Sequence, residues 1–511
     1  MAKKAKDAKP RKEKGAATGD HTCDLDAPGT APQVYAGWAS LPEMVRQSRY
    51  LQILLVLTAL GAFLRLFQLG TASLWLDEAS TLTFARESFT QIWGSMSAGE
   101  FHPPLFYWLE HAMLAFGESE LVLRLLPAIF GILAIPVFFG IGTELLDRNT
   151  GVLAAALLTF SPFHIFYSQE ARDYALMLFF FSLAFLFFLR LIRSWGRRDA
   201  ILFGVFSAFA FWTHFYTFVP ILALFIFGLA LKSKEMVRDL RSADTLAISI
   251  LVFSLLSLPL IYYAVQLFGK ITGSAPTFGI QGITTITLSL TQISGFSEIL
   301  AYIFIALFAL GIIALFRRDS TRALLLVFAL VFPLVVSVFL SYRMPMNPRY
   351  LSYLLSAFLP GVALSLRPAC PLFRSRNLVY GALILTLLIN LPVLFPYYTT
   401  QQKDDWKGAS QELAGLAVPG DLVISLPGYI SQPLDFYYRN ETAGTLEFGF
   451  YTVEDIQATI TAHPGHTVWF VVTGDIRAAD PQGLVLGWLG QHSRVVWKDA
   501  NGGILLLRYS G

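Results

Sequence analysis

Two adjacent carboxylates, Asp77 and Glu78, stand shortly after the first long apolar run, in the stretch LWLDEAST. An acid in that place is held close to a membrane surface, where it can reach a lipid head group and a substrate that arrives from water. A carboxylate that is oriented and partly desolvated works well as a general base for a hydroxyl. The pair therefore predicts hydroxyl activation at a membrane surface, with Asp77 and Glu78 as the candidate catalytic residues.

Three arginines outside the apolar runs, Arg172, Arg343 and Arg349, are candidates for binding a phosphate. The planar guanidinium group suits phosphate oxygens. A glycosyl bond to a lipid phosphate is already activated, because the phosphate leaves as an anion. An enzyme that breaks this bond needs one base and a cationic site, with or without a divalent metal. The chain contains neither a P-loop nor a G-x-G-x-x-G fingerprint, so we expect no nucleotide cofactor.

Two further stretches place polar side chains beside apolar runs. His102 precedes Pro103 and Pro104, which favour the start of a helix. In the stretch YSQEARDYA, Glu170 and Asp173 are three positions apart and would share one face of a helix. Asp173 could instead cap the helix that follows, because an acid there complements the helix dipole.

The candidates for donor or acceptor binding come from these stretches and from a tyrosine beside an arginine: His102, Glu170, Arg172, Asp173, Arg343, Arg349 and Tyr350. A divalent metal ion is an open alternative, and the candidate ligands for it are Asp77, Glu78, His102 and Glu170. Their spacing is not a metal signature. His102 is therefore interpreted first as a substrate contact or a capping residue and only second as a ligand.

The composition predicts what kind of element positions these residues. Of the 511 residues, 55% are hydrophobic and 14% are charged, whereas a soluble protein carries about a quarter charged residues. Apolar runs of membrane-spanning length recur along most of the chain, which indicates a polytopic α-helical membrane protein. About eleven runs are predicted, at 50–69, 125–146, 151–167, 174–192, 200–213, 217–231, 245–266, 299–316, 323–341, 351–366 and 377–395.

The loops between these runs differ in charge. Taken alternately, the basic ones are the N-terminal tail, 147–150, 193–199, 232–244, 317–322 and 367–376. An excess of lysine and arginine marks cytoplasmic loops, so we expect a multi-pass cell membrane protein with a cytoplasmic N-terminus. The outer side then receives 71–120, 168–173, 214–216, 267–298, 342–350 and everything after 396. All the candidate site residues belong to these outer segments.

Three regions follow from this pattern. Residues 1–48 form a basic, disordered cytoplasmic tail. Residues 49–395 form the transmembrane domain, whose first outer loop, 71–120, carries Asp77 and Glu78. Residues 396–511 form an extracytoplasmic α/β domain, with strands predicted in DLVISL, TVWFVV, RVVWKD and GILLLRY. Cys23 and Cys370 both fall on the cytoplasmic side, so we expect no disulfide.

Three stretches together resemble a known group: LWLDEA, HPPLFYWLEHAMLAFGESELVLRLLPAIFGILAIPVFFGIG and SPFHIFYSQEARDYALM. They are similar to the membrane glycosyltransferases of the protein-mannosyltransferase-like superfamily. The greatest similarity is to bacterial glycosyltransferase family 39 and the RgtA/B/C/D-like group, which have the GT-C fold. The resemblance covers about residues 50–190.

The resemblance implies a polyprenyl- or dolichyl-phosphate sugar donor, an inverting single displacement and an active site in the first outer loop. Asp77 matches the acid of the family's Asp-Glu motif and is expected to be the base, while Glu78 supports or orients it. His102 and the proline pair match the start of the second loop helix. Glu170, Arg172 and Asp173 match the acidic turn before the fourth span.

The leading hypothesis is a glycosyltransferase that moves a sugar from a polyprenyl-phosphate donor to an acceptor on the outer face. The C-terminal region differs from the β-trefoil of eukaryotic protein mannosyltransferases, so a glycan, a lipid and a protein all remain possible acceptors. We expect no nucleic-acid partner. The alternatives are a ligase that uses a lipid diphosphate oligosaccharide, a lipid or sugar flippase and a non-catalytic assembly factor. A flippase is expected to show repeated halves, of which the sequence has no clear sign.

Overall fold

The computed structural model describes residues 47–98, 102–236, 244–271, 276, 279–366, 377–400, 403–438, 444–500 and 502–510. The chain forms two units, residues 1–51 and residues 52–511. In the first unit the description begins at residue 47, so most of the predicted basic tail lies outside the described residues. The same is true of Cys23, Cys370 and the basic loop 367–376. The second unit contains the site.

Helices make up most of the chain, and the long ones coincide with the apolar runs. A segment surrounded by hydrocarbon must satisfy its backbone hydrogen bonds internally, which an α-helix does. The helices are α1 (Arg49–Leu66), α2 (Leu76–Ala85), α3 (Phe89–Ala98), α4 (Pro104–Met113), α5 (Glu120–Leu145), α6 (Arg148–Thr159), α7 (Pro162–Ser168), α8 (Tyr174–Ser194), α9 (Arg197–Thr213), α10 (Phe218–Met236), α11 (Asp244–Ile271), α12 (Thr284–Ile293), α13 (Glu298–Phe316), α14 (Ser320–Leu340), α15 (Leu355–Leu366), α16 (Asn377–Thr399), α17 (Trp406–Leu416), α18 (Ser431–Tyr438), α19 (Val453–Ala462), α20 (Ile476–Ala479) and α21 (Leu484–His492).

Within the described residues, eight helical stretches are long and apolar enough to cross a membrane. A ninth crossing results if α6 and α7, which are bent by 59° at a short break, count as one span. The remaining predicted runs, 200–213 and 377–395, also form helices, α9 and α16, and α9 has only 17 residues. The polytopic helical fold is therefore confirmed, while the number of eleven crossings stays a prediction.

The break between α6 and α7 is stabilised from inside the protein by Arg65 of α1. The guanidinium group of this buried residue donates to the carbonyl oxygens of Leu158 and Thr159, at the end of α6, and to that of Gly61. Its Nη2 atom also lies 2.7 Å from Nδ1 of His164 in α7. Arg65 thus supplies hydrogen bonds that the interrupted helix cannot make for itself.

The loops sort to different ends of the helices. At one end Glu144, in the last turn of α5, forms ion pairs with Arg190 and Arg193 near the end of α8. Arg322 donates to the carbonyl oxygen of Leu145 at this end. Arg193 and Arg322 belong to loops that the sequence predicts on the cytoplasmic side, and Glu144 and Arg190 lie in the adjoining ends of the apolar runs. The opposite end of α8 begins at the candidate site. Which side of the membrane each end faces stays a prediction.

The loop between α1 and α5 contains α2, α3 and α4 and packs into the protein. Helix α4 begins at Pro104, as the proline pair predicts. Leu74 and Leu82 form a buried cluster with Leu123 of α5 and with Ala171. This cluster fixes the first turn of α2, where Asp77 and Glu78 lie, against the helical bundle.

The C-terminal region forms one five-stranded sheet. Its strands are β1 (Leu422–Leu426), β2 (Leu446–Gly449), β3 (Val468–Thr473), β4 (Ser493–Lys498) and β5 (Ile504–Tyr509), in the order β2-β1-β3-β5-β4. The β1 strand pairs in parallel with β2 and β3, and the other two pairings are antiparallel. Apolar clusters cover both faces, so β1 and β3 are buried throughout.

The α/β character of this region is confirmed. Four of the five strands coincide with the stretches that the sequence predicts. The β2 strand was not predicted because it has only four residues, LEFG, and is mostly exposed. Its pairing with β1 is set by the sheet and not by a local apolar pattern.

Candidate active site

Asp77 forms an ion pair with Arg349, the second residue of the 3₁₀ segment Pro348–Leu354. The carboxylate Oδ2 lies 3.0 Å from Nη2 of Arg349, and both side chains are partly exposed. Three aromatic rings surround the guanidinium group, those of Trp75, Tyr174 and Tyr350, at 5.4 to 5.7 Å from its central carbon. Aromatic faces attract a cation. The arrangement holds a base and a potential phosphate-binding group side by side.

Glu78 faces a different environment from its neighbour. Its carboxylate is fully buried and accepts hydrogen bonds from Nε and Nη2 of Arg124, both at 2.7 Å. It also lies 2.9 Å from Nζ of Lys403 and accepts a bond from the backbone N–H of Ala171. Burial alone would raise the pKa of Glu78, but Arg124 and Lys403 outweigh it and lower this pKa to about 2. Glu78 is therefore a structural anion, with two cations already beside it.

Arg124 organises the segment that leads to the acidic pair. Besides Glu78, its guanidinium group binds the carbonyl oxygens of Leu69, Ala72 and Ser73. These carbonyls lie between the end of α1 and the start of α2, so one buried side chain fixes the whole connection. We did not select Arg124 from the sequence. The available signal was its position inside the apolar run LVLRLLPAIF, since an ionisable residue there is a functional candidate by default.

The turn at 169–173 is not helical, contrary to the expectation of a shared helical face for Glu170 and Asp173. It is an irregular connection between α7 and α8. The bend lets the N–H of Ala171 reach Glu78. Asp173 occupies the position before α8, but its carboxylate makes no capping hydrogen bond. Asp173 therefore holds the predicted capping position, where its charge complements the helix dipole, without a capping hydrogen bond from its side chain.

The carboxylate of Asp173 instead meets two histidines. Its Oδ2 atom lies 3.2 Å from Nδ1 of His102, and ligand atoms of His102, Asp173 and His214 lie within 4.8 Å of one another. Burial alone would raise the pKa of Asp173, but His102, His214 and Arg172 outweigh it and lower this pKa to about 2. Two imidazoles and one carboxylate are residue types that bind a divalent transition metal.

The hydrogen bonds of the two rings disagree with metal binding in this arrangement. Nε2 of His102 accepts from Nη2 of Arg172 at 2.7 Å, so the ring proton lies on Nδ1, the atom that faces Asp173. Nδ1 of His214 accepts from the N–H of Tyr216, which places its proton on Nε2. A metal needs a nitrogen lone pair. The residues therefore fit a hydrogen-bonded cluster around Asp173, and of the predicted metal ligands only His102 belongs to it.

Glu170, which lies in the same connection as Asp173, is buried. Its Oε2 atom makes no hydrogen bond with any residue that the structure describes. Burial raises the pKa of Glu170 to about 7; Glu78 and Asp77 add to the rise, and Lys403 and Arg349 oppose it. This carboxyl is therefore partly protonated at neutral pH.

The raised pKa of Glu170 predicts a pH dependence of stability. Between the ordinary carboxyl value of 4.5 and about 7, the folded state binds more protons than the unfolded state. Stability should then fall as the pH rises through this window, by at most about 1.4 kcal/mol per pH unit. We expect Glu170→Gln to reduce the pH dependence of the thermal midpoint between pH 5 and pH 8 in detergent, with a residual slope from Glu447, whose pKa burial also raises to about 7. A slope identical to that of the unmodified protein would contradict this assignment. Glu78 titrates below this range and does not interfere.

Comparisons with known proteins show what the chain is similar to. Residues 101–263 match the family model for dolichyl-phosphate-mannose-protein mannosyltransferases. Among solved structures, ArnT from Cupriavidus metallidurans bound to undecaprenyl phosphate is similar over 92% of this chain and 98% of its own, with 14% identity and a TM-score of 0.59. No curated protein matches the chain at a significant level.

Two structures of the Archaeoglobus fulgidus oligosaccharyltransferase AglB are also similar. The complex with an inhibitory peptide and a dolichol-phosphate covers 90% of this chain and 74% of its own, with 13% identity and a TM-score of 0.54. The complex with Zn and sulfate covers 88% and 72%, with 12% identity and a TM-score of 0.50. The chain has the fold of these glycosyltransferases, the GT-C fold. The predicted fold is thereby confirmed, and the predicted family agrees with the family model over residues 101–263.

Most of the predicted site residues lie together in this structure. Tyr350 packs on the rings of Tyr174, His214 and Tyr216, at 5.3 to 6.2 Å between centroids. Arg343 differs, because its side chain is exposed and forms no hydrogen bond or ion pair with any other described residue. The structure therefore separates the two arginines that the sequence places in the same loop. The roles of these residues stay predictions.

Proposed function

We propose that this GT-C glycosyltransferase moves a sugar from a polyprenyl-phosphate-linked donor to an acceptor hydroxyl, with Asp77 as the base. The observation that carries the proposal is the 3.0 Å pair of Asp77 and Arg349. A carboxylate and a guanidinium group at this distance supply a proton acceptor and a phosphate ligand at one point. The bound undecaprenyl phosphate of ArnT and dolichol-phosphate of AglB support the choice of donor.

The chemistry follows from the charges of the site. The donor phosphate binds the guanidinium group of Arg349. The ion pair between Arg349 and Asp77 is weakened as a result. Asp77 then accepts the proton of the acceptor hydroxyl as its oxygen attacks the anomeric carbon. The bond from that carbon to the phosphate oxygen breaks on the opposite face, and the electron pair leaves with polyprenyl phosphate. One displacement inverts the anomeric configuration.

Arg172 and the aromatic residues complete the site. Arg172 donates to the carbonyl oxygen of Asp77 and to Oγ1 of Thr81, so it holds the first turn of α2 in place. Trp75 and Tyr174 limit the freedom of Arg349. Both effects keep the base in one orientation before the substrate arrives, which lowers the entropic part of the barrier. Every step uses side chains of this chain.

The basic loops support an outer location for this site, because the alternating pattern puts residues 71–120 and 342–350 on the side away from the cytoplasm. The acceptor is a glycan, a lipid or a protein. The similarity of AglB keeps the lipid-linked oligosaccharide ligase as the second candidate, since that protein is described as an oligosaccharyltransferase.

The decisive experiment compares two donors. The purified protein in lipid nanodiscs receives either a polyprenyl monophosphate hexose or a polyprenyl diphosphate oligosaccharide, with a host envelope extract that contains glycolipids, glycans and proteins as the source of acceptors. Mass spectrometry then follows the release of polyprenyl phosphate and the gain of one sugar on the acceptor. Turnover of the monophosphate alone supports the proposal. Turnover of the diphosphate alone supports the ligase, and turnover of neither removes both.

Arg349→Ala is expected to weaken donor use more than acceptor use. A hydrogen bond to a charged group contributes about 1.5 to 3 kcal/mol, so the donor KM should rise by about 10- to 100-fold with an acceptor KM close to normal. Arg343→Ala is the matched control from the same loop and should leave both constants unchanged, because its side chain is exposed. Equal increases in both constants for Arg349→Ala would contradict phosphate binding there.

A further inference from the structure

The C-terminal domain contacts the segment that carries the acidic pair. Tyr437, near the end of α18, accepts a hydrogen bond from the N–H of Leu74 at 2.7 Å and donates to Glu120 at 2.9 Å. Lys407, in the first turn of α17, also binds Glu120 at 2.8 Å. Its backbone N–H donates to Oγ of Ser73 at 3.1 Å. These contacts hold Ser73 and Leu74, which lie just before α2 begins.

Of these contacts, the one that Lys403 makes is the most buried. It lies in the connection between α16 and α17, and its ammonium group reaches the buried carboxylate of Glu78 at 2.9 Å. Burial lowers the pKa of Lys403, and Glu78 opposes that effect. A buried ammonium group is costly unless an anion faces it. The connection to the C-terminal domain is therefore fixed by the residue next to the proposed base.

Neutralising Glu78 does not by itself require Lys403, because Arg124 already supplies a bidentate partner for this carboxylate. The second cation, whose charge also acts on Glu170, comes from the connection between α16 and α17 that leads to the C-terminal domain. Lys403 also lines an open cavity of about 320 Å³ together with Gln169, Tyr397 and Asp404. Truncating its side chain would extend this space to Glu78.

We propose that the C-terminal domain is a positioning element of the active site, which acts through Lys403 and Tyr437 on residues 73–78. The inference rests on the proposed function. Lys403 holds Glu78 from the side that Arg124 leaves open, and Tyr437 fixes the backbone at Leu74 before the helix begins. Together they fix the orientation of the Asp77 side chain at the first turn of α2. Neither residue touches the reacting atoms in this assignment.

The kinetic test uses Lys403→Met and Tyr437→Phe in the full-length protein. A displacement of about 1 Å at the base costs up to about 100-fold in rate, so we expect kcat to fall about 10- to 100-fold, with both KM values within about twofold of normal. Lys403→Arg keeps the charge and should recover most of the rate. Lys498→Met, an exposed lysine of the same domain, is the matched control and should behave as the unmodified protein.

A second measurement does not depend on activity. Hydrogen exchange of peptides that cover residues 71–82 should accelerate in Tyr437→Phe, because the N–H of Leu74 loses its acceptor, while peptides that cover 162–168 stay unchanged. If the unmodified protein transfers no sugar but this exchange accelerates, the proposed function fails and the positioning role stands. A normal kcat in folded Lys403→Met, or unchanged exchange in Tyr437→Phe, would overturn the inference.

Discussion

Asp77→Asn is expected to abolish sugar transfer while the protein stays folded and inserted in the membrane. Asparagine has the shape of aspartate but cannot accept the proton of the acceptor hydroxyl. Loss of a general base costs about 10² to 10⁴ in rate, and the loss of its charge also leaves Arg349 without its anionic partner. We therefore expect kcat to fall by about a thousandfold or more. Single-turnover kinetics with the lipid-linked donor measures this step directly.

The matched control for Asp77→Asn is Asp199→Asn, at the start of α9 and at the opposite end of α8 from the site. It should retain full activity. The thermal midpoint of Asp77→Asn should stay within a few degrees of normal, because its side chain is partly exposed and makes one ion pair. A variant that transfers sugar at the normal rate would remove Asp77 from the role of base.

Arg124→Met is expected to have the largest effect on stability. The substitution leaves the buried carboxylate of Glu78 with Lys403 alone and frees the carbonyl oxygens of Leu69, Ala72 and Ser73. Removing one partner of a buried ion pair costs about 3 to 5 kcal/mol. We expect a marked fall in the thermal midpoint in detergent and in the amount of folded protein in the membrane.

Arg86→Met provides the contrast, because it breaks an ion pair of the same type at the surface. Arg86 and Glu118 lie 2.5 Å apart, with side chains 40% and 44% exposed, and such a pair contributes at most about 1 kcal/mol. The double variant Arg124→Met/Glu78→Gln should not recover this stability, because the buried ammonium group of Lys403 then loses the anion that faces it. Equal midpoints for Arg124→Met and Arg86→Met would show that Glu78 does not depend on Arg124.

The sequence predicts which residues belong to the site better than it predicts the contacts that hold them in place. Asp77 is identifiable because a motif places it just beyond an apolar run, and Arg349 because an arginine stands in a loop on the same predicted side. Both signals are local. The pairing of these residues is a tertiary property, as is the separation of Arg349 from Arg343, and no local pattern distinguishes the two arginines.

The different roles of Asp77 and Glu78 follow from partners that are distant in the chain. Glu78 is bound by Arg124, which lies 46 positions away, and by Lys403 from the far end of the chain. An adjacent acid pair looks chemically equivalent in the sequence, whereas burial and two cations make one member structural. The connection at 168–173 is predicted by the sequence, but its contact with Glu78 is not. The N–H of Ala171 reaches Glu78 from 93 positions away, which no local pattern indicates.

The hydrogen bonds of Arg65 have a consequence for biogenesis. The carbonyl groups that it satisfies belong to α6, which leaves the ribosome long after α1. Until α1 and α6 meet, the break between α6 and α7 leaves backbone carbonyl groups without hydrogen bonds, which is costly in hydrocarbon. We therefore expect α1 to stay beside the translocon until α6 is synthesised, so that the two helices enter the lipid together. The order of synthesis then becomes part of the folding pathway.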